Sequence, residues 1–329
     1  MGYFYKYMQL RDDFFREPML RATPITEFND PFEGLFNKEQ IINIYRNHEE
    51  YYKKNQITST YKTDNTIIDE SMDIIYADLR DLGIISFANN YWNTLMWSHY
   101  ANEHRGVVIE FNSSIPLLEY SKKYVDGIGY TRFGKCHFGE IHEYPEPVIY
   151  RIKTPKFKKP QETNPDSVDE YHLKKFIKSI LFSKSKCWSY EHESRVILRL
   201  SDADCILCDA DEDIMDFCSK YQEIEVKKIE YNKIKITYPV GYELNENMGD
   251  ESIKSNLYFL LKKLINPAIH LFRINPECIK SVYFGCRAEY EKSIQFINEN
   301  NTLNHINNVY EMKVEAINYM LKKKKLKIE

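Results

Sequence analysis

Lys186-Cys187-Trp188-Ser189-Tyr190-Glu191-His192-Glu193-Ser194-Arg195-Val196-Ile197-Leu198 is the stretch on which the reading of the fold turns. Val196 to Leu198 is a β-branched, apolar run, and the polar residues before it mark where a strand opens. The strand is expected over Glu193 to Leu200. Side chains of an extended chain alternate, so Glu191 and Glu193 point the same way. Two neighbouring carboxylates are costly to hold unless a cation compensates them or one keeps its proton. One resolution is a structural ion pair of Glu191 or Glu193 with Arg195 or Lys186. The other is a carboxylate held at a cleft beside the aromatic platform of Trp188 and Tyr190, where it stabilises a cationic transition state or binds a ribose hydroxyl. The residues alone leave both open.

Outward from this strand, the chain reads as a mixture of strands and helices. Tyr3 to Met8 is aromatic and strand-like, Asp12 to Leu20 reads as a short helix, and Leu20 to Thr23 reads as a strand stopped by Pro24. Asn29-Asp30-Pro31 within Phe28 to Gly34 is a turn signal. Residues 38–80 read as two surface helices around a polar loop from Asn55 to Asn65. Leu82 to Ala88 is a buried strand, Asn93 to Tyr100 a helix, and Gly106 to Phe111 another strand. Residues 124–160 suggest hairpins or irregular strands. Ser167-x-x-Glu170 resembles a capping box, opening a helix whose Leu173, Phe176, Ile177, Ile180 and Leu181 share one face. Ile224 to Val226 and Ile234 to Thr237 are short strands in an acidic region, Ser252 to Leu264 is an amphipathic helix, and Ile279 to Cys286 is a strand. Glu289 to Leu303 and Val309 to Leu326 read as helical, with Lys322 to Lys325 suited to a helix C-terminus. The fold expected is a single α+β domain over residues 1–290, built on a mixed or split antiparallel sheet flanked by helices and carrying helical insertions. A C-terminal helical extension over 291–329 follows it.

The composition bounds the function. The 329 residues are 43% apolar and 14% aromatic, enough for a sizeable core. A net charge of -4 argues against a protein that coats duplex nucleic acid through its phosphates. No run of about 18 apolar residues exists, so no membrane span is expected. The opening residues carry no signal-peptide pattern, and Lys6 stands where a myristoylation signal prefers Ser or Thr. Seven cysteines, an odd number, then point to reduced thiols in a cytoplasm. Cys205-Ile206-Leu207-Cys208 has metal-type spacing but lacks a second pair, so partly buried thiols and no metal are expected there.

Besides Glu191 and Glu193, two polar clusters stand out. Asn29-Asp30-Pro31-Phe32-Glu33 either closes a tight turn on itself or positions Asp30 or Arg21 at a cleft. Met96-Trp97-Ser98-His99-Tyr100-Ala101, followed by His104-Arg105-Gly106, holds either a buried hydrogen-bonded histidine or a ligand-binding, acid–base one in His99. The five-residue step from His99 to His104 is wrong for a zinc-binding helix.

These segments, with Tyr5-Lys6-Tyr7 at the start, resemble an uncharacterised bacterial family catalogued as domain of unknown function 2971, over roughly residues 3 to 290. That family name implies no activity. A second resemblance, to ADP-ribosyltransferases of the arginine-, serine- and glutamate-bearing type, does. Such enzymes carry a basic residue on the first strand, a Ser or Thr on a middle strand, and Glu-x-Glu where a later strand opens. Lys6 or Arg11, then Ser86, then Glu191-x-Glu193 meet that order. The resemblance implies Glu193 as the catalytic glutamate, acting on the nicotinamide ribose, and Glu191 as its acceptor-side companion. Ser86 would brace the site and Tyr100 or Trp97 would stack on nicotinamide. His99 stands as an acid–base candidate; Lys6, Tyr7, Arg21, Asn29, Asp30, Arg105 and Trp188 stand as substrate contacts. The sequence departs from the pattern at Lys6, where an Arg or His is expected, and at Ala88, where a second Ser or Thr is expected.

The resemblance implies NAD as a substrate, no metal, transfer to a protein or nucleic-acid acceptor or to water, and use as a toxin or antiviral defence effector. Two other classes fit the residues. One is a noncatalytic ligand-sensing or interaction protein of a defence system. The other is a nuclease holding magnesium or manganese on Asp30, Glu33, Glu191 and Glu193.

Overall fold

The aromatic opening of the chain forms β1 (Tyr3–Met8), and Leu20 to Thr23 lies within β2 (Met19–Pro24). Then come α1 (Lys38–Lys54), α2 (Asn65–Arg80), β3 (Leu82–Phe87), α3 (Thr94–Tyr100) and β4 (Val107–Asn112). Short strands β5 (Glu146–Pro147) and β6 (Ile149–Arg151) precede α4 (Val168–Leu181), β7 (Ser183–Ser185) and β8 (Ser194–Arg199). β9 (Cys205–Asp209), α5 (Glu212–Ser219), β10 (Glu225–Glu230), β11 (Lys233–Thr237), α6 (Gly249–Leu261) and β12 (Ile269–Arg273) follow. The chain continues through β13 (Ile279–Phe284), α7 (Glu291–Glu299), β14 (Val309–Glu315) and β15 (Met320–Lys325). This is a computed structural model, and it describes residues 2–54, 56, 65–118, 144–155, 168–239 and 249–327.

The expected α+β architecture is present, with two large sheets. One is mixed, in the order β1-β4-β13-β14-β15, with its parallel pair at β13 and β14. The other is antiparallel, in the order β10-β11-β9-β12-β2-β3-β8-β5. Alternation along the strands separates two cores. Ile85 and Phe87 of β3 and Val196 and Leu198 of β8 join Val107, Ile109, Val282 and Phe284 of the mixed sheet in the main core. Leu82, Ile84 and Ile197 lie with Ile41 and Ile44 of α1, Ile68, Ile75 and Leu79 of α2, and Phe176 to Leu181 of α4. The helices read as surface elements therefore each bury one apolar stripe. Where the sheets touch, Tyr5 and Ala88 exchange backbone hydrogen bonds of 2.9 and 2.7 Å, which ties β1 to the end of β3.

Several expectations need correction. Asp12 to Leu20 makes only one tight helical turn, Asp12–Phe15, because Pro18 cannot continue a helix and Met19 already belongs to β2. Val309 to Leu326 is a strand pair and not a helix. Val309 lies opposite Val282 in a parallel ladder, and that pairing outweighs the weak helical preference of Glu, Lys and Met. Lys322 to Lys325 thus line an edge strand, where charge discourages further pairing, and do not answer a helix dipole. Of the helical extension read over 291–329, only its first part is helical. β9, α5 and β12 were not expected. Cys205 and Cys208 sit three apart on β9, so strand alternation sends them into different apolar clusters. The Asn55–Asn65 loop apart from Gln56 and Asn65, residues 124–143 and 156–160, and the Ser167 cap lie outside the described residues. Among the described residues, no helix is long and apolar enough to cross a membrane.

Candidate functional site

Asn93 caps α3, its side chain accepting hydrogen bonds from the Leu95 and Met96 N–H groups at 3.0 and 3.3 Å. The same side chain donates to the Tyr190 carbonyl at 2.7 Å, which fixes α3 against the tight helical turn Lys186–Glu191. At the end of that turn His192 takes a left-handed conformation, φ 45°, uncommon outside glycine. The reversal leaves His192 exposed and buries Glu191 and Glu193 on the same side. Glu193 is then secured through its backbone: its N–H donates to the Tyr150 hydroxyl at 2.7 Å, and its carbonyl accepts from Val148 N–H at 2.9 Å.

Glu33 arrives from the opposite side of the sequence. The Asp30 carboxylate accepts the Phe32 N–H at 3.0 Å, closing the turn that carries it. Arg195 of β8 binds Glu193 with Nε to Oε1 at 2.7 Å and Nη2 to Oε2 at 3.0 Å, donates Nη1 to the Leu181 carbonyl at 2.6 Å, and also grips Glu33. Its guanidinium lies over the Phe28 ring, 5.3 Å from the centroid. Lys184 of β7 contacts all three glutamates: Glu191 at 2.7 Å, Glu33 at 3.1 Å and Glu193 at 3.2 Å. The second Glu191 oxygen accepts from the Tyr100 hydroxyl at 2.5 Å. Forked Arg–carboxylate contacts of this kind are stronger and more directional than neutral hydrogen bonds.

Burial and charge pull these groups in opposite directions. For Glu193, burial acts to raise the carboxyl, but Arg195, Lys184 and a hydrogen bond from Ser86 outweigh it and hold it at about 2. Glu33 goes the other way, because burial prevails over Arg195 and Lys184. Burial would lower the Lys184 ammonium, yet Glu193, Glu33 and Glu191 raise it well above the usual lysine range. Lys6 is pulled down to about 8 by burial, against the attraction of Glu193.

These groups border a cavity of about 250 Å³. Tyr5, Lys6 and Tyr7 from β1, Ser86 and Phe87 from β3, and Ala88 line it together with Phe28, Asn29, Glu33, Tyr100, Lys184, Glu191 and Glu193; Thr23, Glu27 and Met96 complete the wall. The Lys6 ammonium donates to the Ser86 carbonyl at 2.9 Å. Of the residues singled out from sequence, Lys6, Tyr7, Asn29, Ser86, Tyr100, Glu191 and Glu193 therefore meet at one cleft.

The others do not reach it. His99 is exposed, so the reading of it as a buried hydrogen-bonded histidine fails, and Arg105 is exposed and paired with Glu103 at 3.0 Å. Trp97 is fully buried, its indole N–H on the Tyr91 carbonyl at 2.7 Å and its ring edge-on to Tyr7. Arg21 pairs with Glu27, and Trp188 lies beneath the Lys184 ammonium at 5.1 Å. Asp30 is buried in its turn. The ion pair of Glu193 with Arg195 is present, and the same carboxylate lines the cavity, whereas Trp188 and Tyr190 do not. The cation named from sequence as an alternative, Lys186, is exposed; the one that acts is Lys184, which the sequence reading missed. Its three-residue strand, Ser183–Ser185, carries no apolar pattern and exists only through pairing with β6. Among the described residues, no group of three or more His, Cys, Asp or Glu is arranged to hold a metal ion.

The order of Trp97, Tyr100, Lys184, Glu191, Glu193 and Arg195 along the chain is also where similarity to other proteins falls. Residues 96–196 match the family described as protein of unknown function (DUF2971). The matched segment starts at Met96 in α3 and ends at Val196 in β8, so it spans Tyr100, Lys184 and the Glu-x-Glu pair, while Lys6, Glu33 and Ser86 precede it. No curated protein and no solved structure matches the chain.

Proposed function

We propose that the cleft binds NAD and cleaves the bond between nicotinamide and ribose, passing ADP-ribose to water or to an acceptor. One observation carries this reading: Lys6, Ser86 and Glu193, from three separated parts of the chain, line one cavity. In the reaction the C1′–N bond breaks and its electron pair goes to nicotinamide, which leaves neutral. The ribose is left as an oxocarbenium-like cation. Glu193, held ionised at neutral pH by Arg195 and Lys184, is the carboxylate that stabilises it. Water or an acceptor then adds to C1′ and gives up a proton on the side of Glu191. Tyr100 and Phe28 offer aromatic faces for nicotinamide, and Lys6 offers a cation for the pyrophosphate. Such an enzyme would suit a cytoplasmic toxin or defence effector, a part of the proposal that rests on the class of chemistry alone.

A second reading is favoured by one observation. Both Glu193 oxygens are already engaged by Arg195. That would suit a site that binds a nucleotide without turning it over, as a sensor does. Incubating the purified chain with NAD, alone and with cell lysate as a source of acceptors, separates them. Release of free nicotinamide, measured by liquid chromatography, supports cleavage. Thermal stabilisation by NAD without release selects the sensor, and neither response rejects both readings.

A further inference from the structure

A second cavity, of about 210 Å³, lies on the other side of Glu33 and Lys184, which line both spaces. Its walls come from the turn that holds Asp30 and Glu33, from Ser183 and Lys184 of β7, and from Arg151 and Lys153 at the end of β6. Two acids, Asp30 and Glu33, and three bases, Arg151, Lys153 and Lys184, line it. Asp30, Glu33, Glu191 and Glu193 are all buried, and the buried cations among them are Lys184 and Arg195. Lys6 offsets some of this from the first cavity, next to Glu193. Among the described residues, none of these cations contacts Asp30. Asp30 is only 3% exposed, and its Oδ2 has no hydrogen-bond partner among the described residues. Glu33 Oε1 stands 3.1 Å from Lys184 yet makes no hydrogen bond either. A buried carboxylate oxygen without a donor is costly, and a donor bearing positive charge relieves the cost most.

The opposite wall has the opposite sign. Arg151 donates Nε to the Ser183 hydroxyl at 3.0 Å, which fixes its guanidinium at the cavity, and Lys153 is exposed beside it. A simple cation would be repelled by this rim, and a simple anion by the acidic floor. We infer that the second cavity binds a small zwitterion of the α-amino-acid type, its ammonium received by Asp30 and Glu33 and its carboxylate by Arg151 and Lys153. The inference does not depend on what the first cavity does.

Isothermal titration of the full chain with each of the common amino acids tests it. At least one is expected to bind, and its N-acetyl and carboxamide derivatives are each expected to bind about tenfold more weakly or worse, the loss of one charged hydrogen bond. Asp30→Asn and Arg151→Gln should each weaken the parent amino acid by about the same factor. If Asp30→Asn fails to fold, the derivative series on the natural chain and the Arg151→Gln variant still decide. Absence of binding by every amino acid, equal binding by the blocked derivatives, or equal binding by ammonium chloride would overturn the inference.

Discussion

Arg195 and Arg273 are both buried arginines of the eight-stranded sheet, 1% and 6% exposed, and each has a buried carboxylate beside it. Their settings differ. Around Arg273 one partner is backbone and one is partly exposed: Nη2 donates to the Tyr238 carbonyl at 3.0 Å, Nε donates to the Glu17 carboxylate at the surface at 3.2 Å, and the Arg273 backbone N–H donates to Asp204 Oδ2 at 2.7 Å. Asp204 in turn is tied by its N–H to the Leu271 carbonyl and by its carbonyl to Tyr238 N–H. None of these residues lines either cavity described above. Around Arg195 the partners are mostly carboxylates, and both of them, Glu33 and Glu193, are cavity walls. A buried ion pair closed by backbone joins strands. One whose carboxylates also line a cavity orients those carboxylates toward it.

The sharpest way to break this comparison is to remove each arginine. Arg195→Met leaves Glu33 and Glu193 with Lys184 as their remaining cation, and should lower stability by about 3–5 kcal/mol in chemical denaturation. Arg273→Met, which strands one buried carboxylate already held by a backbone donor, should cost less, about 1–3 kcal/mol. Equal losses would mean that the two clusters are the same kind of structural pair.

Acid titration gives the next effect. Glu193, held down to about 2 from an ordinary value of 4.5, contributes stability that is fully present above pH 4.5 and lost as pH falls toward 2. The size is about 3 kcal/mol. Glu33 works in the opposite sense: burial raises it, so its ionisation penalises the folded state as pH rises through its unfolded value. Melting temperatures of the natural chain and of Glu193→Gln should diverge above pH 4.5 and converge near pH 2. A constant offset would show that Glu193 is not held ionised.

Lys6 sharpens the comparison through binding. Its ammonium, pulled down to about 8, loses its proton as pH rises through that value, so the KM for NAD should climb above pH 8, by up to about tenfold per unit. Lys6→Arg should keep KM flat. The smallest effect belongs to His99→Ala and Arg105→Ala. Both side chains are exposed and outside the cleft, and each change should alter stability by less than about 0.5 kcal/mol and leave nicotinamide release unchanged.

Most of the fold that frames the cleft could be read from local pattern. The apolar runs at Ile84-Ile85, Val107 to Phe111 and Val196 to Leu198 alternate or cluster as strands do, and the helices over 38–80 have both apolar spacing and flanking polar residues. β12 was hidden because His270 and Arg273, both buried, interrupt its apolar run, and their partners lie elsewhere in the chain. Glu191 and Glu193 were visible as a pair because they stand two apart, although the helical turn and the left-handed His192, and not strand alternation, bring them to one side. Their setting was not. Glu33 lies 162 residues from Arg195, and Lys184 meets three acids only because β7 pairs with β6. Charge partners brought together by topology leave no spacing signal.

The central claim is that the Glu193 cluster is a working site and the Asp204 cluster a structural one. Nicotinamide release from NAD, measured per folded molecule in Glu193→Gln and in Asp204→Asn, tests it most directly. Glu193→Gln is expected to lose release by about 100-fold or more while still folded, and Asp204→Asn to retain it in proportion to its folded fraction. Equal rates per folded molecule in the two variants would contradict it.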